Sequence, residues 1–163
     1  MNENKIVVGF DGSTMSTAAL QWAAEHSRLS GAPLLAVHTW EQPSAEEYAG
    51  GVELRHLTGR DAREDADSWV AAALGERTEG LSIQVDVVEG PAGPVLVKRA
   101  QDAALLVVGT RVHTGLRRLV SGSVSHYCLS HASCPVVAVP GPVTAKVHEK
   151  VHHGAAFSPG PMF

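Results

Sequence analysis

Short apolar runs rich in β-branched residues recur along this chain, and helical patterns lie between them. Ile6-Val7-Val8 ends at Gly9, Leu34-Leu35-Ala36-Val37 follows Gly31 and Pro33, Leu105-Leu106-Val107-Val108 ends at Gly109, and Val136-Val137-Ala138-Val139 lies between Pro135 and Pro140. Unbroken runs of this kind suit strands buried on both faces of a parallel sheet, whereas a strand with one wet face alternates. Ile83, Val85 and Val87 do alternate with Gln84, Asp86 and Val88, as expected of an outer strand.

The intervening segments carry helix signals. Ser13 or Ser16 offers an N-cap, Ala19, Leu20, Ala23 and Ala24 repeat at helical spacing, and Gly31 with Pro33 ends the first helix. A second helix resumes around Arg60, with Ala62, Ala66, Trp69, Val70, Ala73 and Leu74 on one face and Arg63, Glu64, Asp65 and Asp67 mainly opposite. Gly75 and Gly80 bracket its exit. Pro94 is expected as the first residue of a third helix bearing Leu96, Val97 and Ala100. A fourth opens at Gly122-Ser123, with Val124, Tyr127, Cys128 and Leu129 expected on its inner side. The order β-α-β-α-β-α-β-α-β predicts a right-handed, doubly wound α/β fold with a five-stranded parallel sheet.

A chain of 163 residues fits one compact domain, expected over residues 1–142. Glu41 to Gly59 reads as a long surface loop, of the length at which loops are often functional. In residues 143–163, Pro and Gly recur and His148, His152 and His153 cluster; this segment is expected to be a flexible tail or to dock on a neighbouring subunit through Phe157, Met162 and Phe163. Thirteen basic against 17 acidic side chains leave a net charge of −4, which disfavours a nucleic-acid partner. Cys128 and Cys134 have neither CxxC nor zinc spacing and are too few for a secreted disulfide framework, so a reducing cytoplasm is expected. The N-terminus meets Gly9 and Asp11 too early for a signal-peptide core. No apolar run approaches the roughly 18–20 residues that span a bilayer, so no membrane partner is expected.

In open parallel sheets, ligands bind at the carboxyl ends of the strands, where strand order reverses. The first strand ends at Gly9-Phe10-Asp11-Gly12-Ser13, the second at His38-Thr39-Trp40 and the fourth at Gly109-Thr110-Arg111. Gly109 permits a sharp backbone turn, and Gly122-Ser123 opens a helix whose free N–H groups suit an anion, with Arg111 and Arg118 adding charge and Ser123 and Ser125 adding donors. The purely structural alternative is that Gly109 ends a strand and Ser123 caps a helix. Asp11 likewise either accepts hydrogen bonds from a ribose or caps the following helix.

These pieces together resemble the universal stress protein family: Gly9-Phe10-Asp11-Gly12-Ser13, His38, Leu106-Val107-Val108-Gly109-Thr110-Arg111, Gly122-Ser123-Val124-Ser125 and His131-Ala132-Ser133-Cys134-Pro135-Val136, in order across about Lys5 to Pro140. The resemblance implies a Rossmann-like fold of the adenine nucleotide alpha hydrolase type, with strand order 3-2-1-4-5. It implies ATP, or ADP or AMP, held at Asp11, Gly12, Ser13, Thr39, Gly109, Arg111, Gly122, Ser123, Val124 and Ser125, with Mg2+ able to accompany ATP. Asp11 would face the ribose and adenine, the backbone near Thr39 the adenine edge, and the later residues the phosphates. The family's ATP-binding members carry G-x2-G-x9-G-[ST]; here Val112 stands at the middle glycine, where a β-branched residue opposes positive φ and close phosphate approach. Gly115 does not occupy that position, and Ala104 replaces an aspartate often found before the fourth strand. The resemblance also implies a homodimer paired through Val136 to Val139, whose free edge would otherwise be a liability.

Catalytic signatures are sparse. Neither GxxxxGK[ST] nor a GxGxxG after the first strand occurs, and His113-Thr114-Gly115-Leu116 lacks the closing histidine of HxGH. A phospho-acceptor receiver needs an aspartate where the third strand ends in Val88-Glu89-Gly90. His148 and His152 lack a third metal ligand, and no metal site is expected. Two functions follow: a non-enzymatic, ATP-binding regulator of a stress response acting on a protein partner, or a dimeric interaction scaffold of the same family that works without nucleotide. Asp11 and Gly122-Ser123 favour the first, Val112 the second.

Overall fold

The computed structural model describes residues 4–42, 59–111 and 124–142. Along them run β1 (Ile6–Gly9), α1 (Thr14–Ser30), β2 (Leu34–Trp40), α2 (Gly59–Leu74), β3 (Ile83–Glu89), α3 (Ala92–Arg99), β4 (Leu105–Thr110), α4 (Val124–His131) and β5 (Val136–Pro140), with a 3-10 turn, Gly75–Thr78, after α2. The strands form one parallel sheet in the order β3-β2-β1-β4-β5, the doubly wound arrangement expected from the alternation of strands and helices.

The unbroken apolar character of β1 follows from its central place. Ile6 and Val8 pack with α1 and α2 on one face, while Val7 packs with Leu96 of α3 and Cys128 of α4 on the other. Outer strand β3 divides the same way: Ile83, Val85 and Val87 lie against the first layer and Val88 against the second. Its free edge is partly covered, because Arg63 of α2 donates to the Val85 carbonyl at 2.9 Å.

Local chemistry sets the helix ends. Ser13 is the N-cap of α1, its hydroxyl accepting from the Ser16 amide at 3.2 Å, which settles the choice between the two serines. Gly31 ends the helix in the left-handed region at φ 72°, its amide bonded to the Ser27 carbonyl. Two expectations are corrected. Helix α3 begins at Ala92 behind Pro91, so Pro94 is its third residue; the first turn's N–H groups have no intrahelical partner, and a proline there removes no bond. In α4, Ser125 and Cys128 are buried and Tyr127 is half-buried against Gly93 of α3, as expected for Tyr127 and Cys128, whereas Val124 and Leu129 are 40% and 57% exposed. A helix of eight residues is too short for apolar spacing to define its buried face. The expected loop after β2 falls mostly on residues 43–58, which lie outside the described residues, as does the tail 143–163.

Cys128 is fully buried and Cys134 half-buried, both packed in the second layer as small apolar groups. Burial, with Cys134 nearby, pushes the Cys128 thiol up to about 11, and burial also raises Cys134. Burial thus shifts both thiols toward the protonated form, and alkylation proceeds through the thiolate fraction that solvent can reach. Alkylation of the native protein at pH 8 is expected to modify Cys134 first and Cys128 only upon unfolding; prompt labelling of Cys128 would contradict its placement. Among the described residues, no helix is long and apolar enough to cross a membrane.

Candidate functional site

Chain connections diverge between β1 and β4: α1 carries the chain from β1 toward β2 over one face, and α4 leads from β4 to β5 over the other. This is the switch point at which a crevice opens beyond the carboxyl ends of the strands. In the ladders, Val8 pairs with Ala36 and with Val107. Continued past the end of β1, that register brings Asp11 level with Thr39 of β2 and Thr110 of β4, so the three strand ends converge as the sequence implies.

The turn from β1 into α1 is tightly hydrogen-bonded. The Phe10 amide donates to the Val37 carbonyl at 3.0 Å, prolonging the ladder by one bond. The Asp11 amide donates to the Ser16 hydroxyl at 3.2 Å, and the Asp11 carboxylate accepts from the Ser13 amide at 3.0 Å. Ser13 is the N-cap, so Asp11 is freed from that task and instead fixes the turn before it. Asp11 is exposed. Partial desolvation works to raise its pKa, but hydrogen bonds from Ser13 and Ser16, and the nearby His38, outweigh that and hold the carboxyl below its ordinary value. It therefore presents an ionised acceptor at neutral pH, suited to sugar hydroxyls.

Gly12, at φ 78°, needs to be glycine twice over: its backbone is left-handed, and a Cβ would lie 2.5 Å from the Trp69 indole. Gly109 plays a different part from the turn expected of it. It lies inside β4, is not among the described glycines with positive φ, and leaves the space that the first turn of α1 fills. A Cβ at Gly109 would stand 2.7 Å from both the carbonyl carbon and oxygen of Met15. Close packing of α1 on β4 thus accounts for this glycine.

The remaining residues implied by the resemblance divide by location. Thr39 is half-buried at the end of β2, Arg111 is an exposed cation just beyond β4, Val124 is exposed at the start of α4, and Ser125 is buried one residue later. Gly122 and Ser123, with Val112, Gly115 and Arg118, lie outside the described residues. The strand ends thus offer an ionised acceptor at Asp11 and a cation at Arg111. Among the described residues, no group of three or more His, Cys, Asp or Glu side chains is placed to hold a metal, and His148 and His152 are outside them.

One feature escaped the sequence reading: an aromatic cluster beside Asp11. His38 and Trp69 lie edge to face with centroids 5.1 Å apart, Phe10 and Trp69 likewise at 6.5 Å, and His38 Nδ1 is 3.1 Å from the Phe10 carbonyl oxygen. Alternation along β2 puts His38 on the face of Leu34 and Ala36, and helical spacing puts Trp69 with Ala62 and Ala66. Those two signals place both rings in one layer, though not in contact.

Comparison with known proteins bears on the family and the fold. The model of the universal stress protein family matches residues 3–140. A universal stress protein of Mycolicibacterium smegmatis is 36% identical over 146 residues, covering 85% of this chain and 49% of that protein. The chain spans about half the length of the curated relatives it matches. Among solved structures, a universal stress protein in complex with cAMP is 26% identical, with a TM-score of 0.56 over 83% of this chain and 95% of that one. The Archaeoglobus fulgidus universal stress protein in complex with dAMP shares the fold, with a TM-score of 0.58 at 24% identity over 85% of this chain and 99% of that one.

Proposed function

The chain belongs to the universal stress protein family, and on that premise we propose that its switch-point crevice binds an adenine nucleotide, with ATP as the ligand. It works in the cytoplasm as a nucleotide-responsive regulator of a stress response, without catalysing a reaction of its own. The observation that supports this best is the convergence of Asp11, Thr39 and the Thr110-Arg111 step on one edge of the sheet. A structurally similar family member is in complex with cAMP, which makes the adenine nucleotide the ligand class to test. The ligand would act by favouring the conformation or dimer it binds better, in proportion to its differential affinity. Pairing of two copies through β5 (Val136–Pro140) is the proposed assembly, since that strand ends the sheet.

Nucleotide content after purification, followed by thermal shift with ATP, ADP, AMP and cAMP, with and without Mg2+, tests the proposal, because a ligand of the folded state raises apparent stability by mass action. Asp11→Ala is expected to weaken binding about 10- to 150-fold, the range for one hydrogen bond to a charged group; unchanged affinity would remove Asp11 from the site. Val112→Gly restores the family's middle glycine and is expected to tighten binding. Val112 also favours a second reading, a dimeric scaffold that needs no nucleotide. Recovery of no nucleotide, together with no shift of the melt by any of the four, would select it.

A further inference from the structure

Building on the nucleotide-binding reading, we propose that Trp69 is a positioning residue for the sugar end of the ligand: its indole, seated on Gly12, locks the turn that aims Asp11 into the crevice. A Cβ on Gly12 would meet three indole atoms at 2.5, 2.8 and 2.9 Å, so the ring lies directly on the backbone of that turn. The other side of the contact is held firmly. Trp69 is braced edge to face by His38 at 5.1 Å and by Phe10 at 6.5 Å, and the His38 ring is itself tied to the Phe10 carbonyl. Phe10 and Gly12 flank Asp11, so the cluster from α2 and β2 grips the chain on both sides of the carboxylate. Without it, the Asp11 side of the turn is held by its bonds to Ser13 and Ser16, next to a glycine with wide conformational freedom. Trp69 acts through the placement of Asp11.

The test compares AMP with 2′,3′-dideoxy-AMP by equilibrium dialysis on the full chain. Wild-type protein is expected to prefer AMP by about tenfold, the worth of one charge-assisted hydrogen bond. Trp69→Leu should erase that preference while changing dideoxy-AMP affinity less than twofold, and Trp69→Phe, which keeps an aromatic face on Gly12, should retain it. Equal weakening of both ligands, or an unchanged preference in Trp69→Leu, would overturn the proposal. A wild-type protein that binds neither ligand would defeat the nucleotide reading, and Trp69 is then judged by NMR titration of the Asp11 carboxyl. Loosening the turn should raise that pKa toward its ordinary value in Trp69→Leu, and no change overturns the proposal. If Trp69→Leu does not fold, Trp22→Phe/Trp40→Phe leaves Trp69 as the sole tryptophan, and AMP should shift its emission more than dideoxy-AMP does; equal shifts overturn the proposal.

Discussion

Gly109→Ala is expected to lower stability by about 3 kcal/mol, at the upper end of the cost of overfilling a packed core, and to lower the melting temperature by about 6–12 °C for a domain of this size. The added methyl would stand 2.7 Å from the Met15 carbonyl carbon and oxygen and 3.0 Å from the Ser16 amide nitrogen. Those are backbone atoms in the first turn of α1, and that turn is tied to Ser13 and Asp11 by hydrogen bonds. It can yield only as a unit, moving α1 off β4 and displacing the Asp11 turn with it. Nucleotide affinity should therefore fall along with stability. Gly9→Ala provides the control: its Cβ would approach Leu96 Cδ1 at 2.6 Å, nominally a closer contact. A leucine tip can rotate away, so about 1 kcal/mol is expected there. Equal melting shifts for the two variants would show that the backbone at Met15 is not the constraint.

Leu106→Ala is expected to cost about 2–5 kcal/mol, measured by urea unfolding, the range for emptying a leucine-sized volume in a close-packed interior. Leu106 is fully buried at β4, paired with Val7 on one side and Val136 on the other, and it packs in the layer that contains Leu96 and Cys128. The surrounding strands and helices cannot all collapse into the void at once, so most of the lost contact is not regained. Leu29→Ala is the counterpart. That leucine is 78% exposed, and its replacement should change stability by no more than about 0.5 kcal/mol. A small loss at Leu106 would mean that the second layer is looser than its packing implies.

Much of this molecule could be read before any coordinates. Ile6-Val7-Val8 and Leu106-Val107-Val108 are apolar without alternation because each is covered on both faces, and that requirement leaves its trace in consecutive residues. Ser13 and Gly31 announce the ends of α1 because capping and the left-handed turn are local chemistry, completed within a few residues. Asp11, Thr39 and Arg111 stand at strand ends the sequence marks, and in a parallel sheet every carboxyl end faces the same edge, so knowing where strands stop gathers them there; their roles toward a ligand come from the family resemblance.

The chain's own order of residues thus determined the strands, the helices, the doubly wound sheet and the edge on which its candidate ligand-binding groups meet. Tertiary structure alone decided that Gly109 is small for the sake of Met15, that Ser125 and Cys128 rather than Val124 and Leu129 turn inward on α4, and that Trp69 rests on Gly12. Periodicity reports which side of an element is buried, because burial acts on neighbouring residues together. It is silent on which distant atom fills a given space, since that depends on the approach of elements whose separation and tilt are set by all their side chains at once.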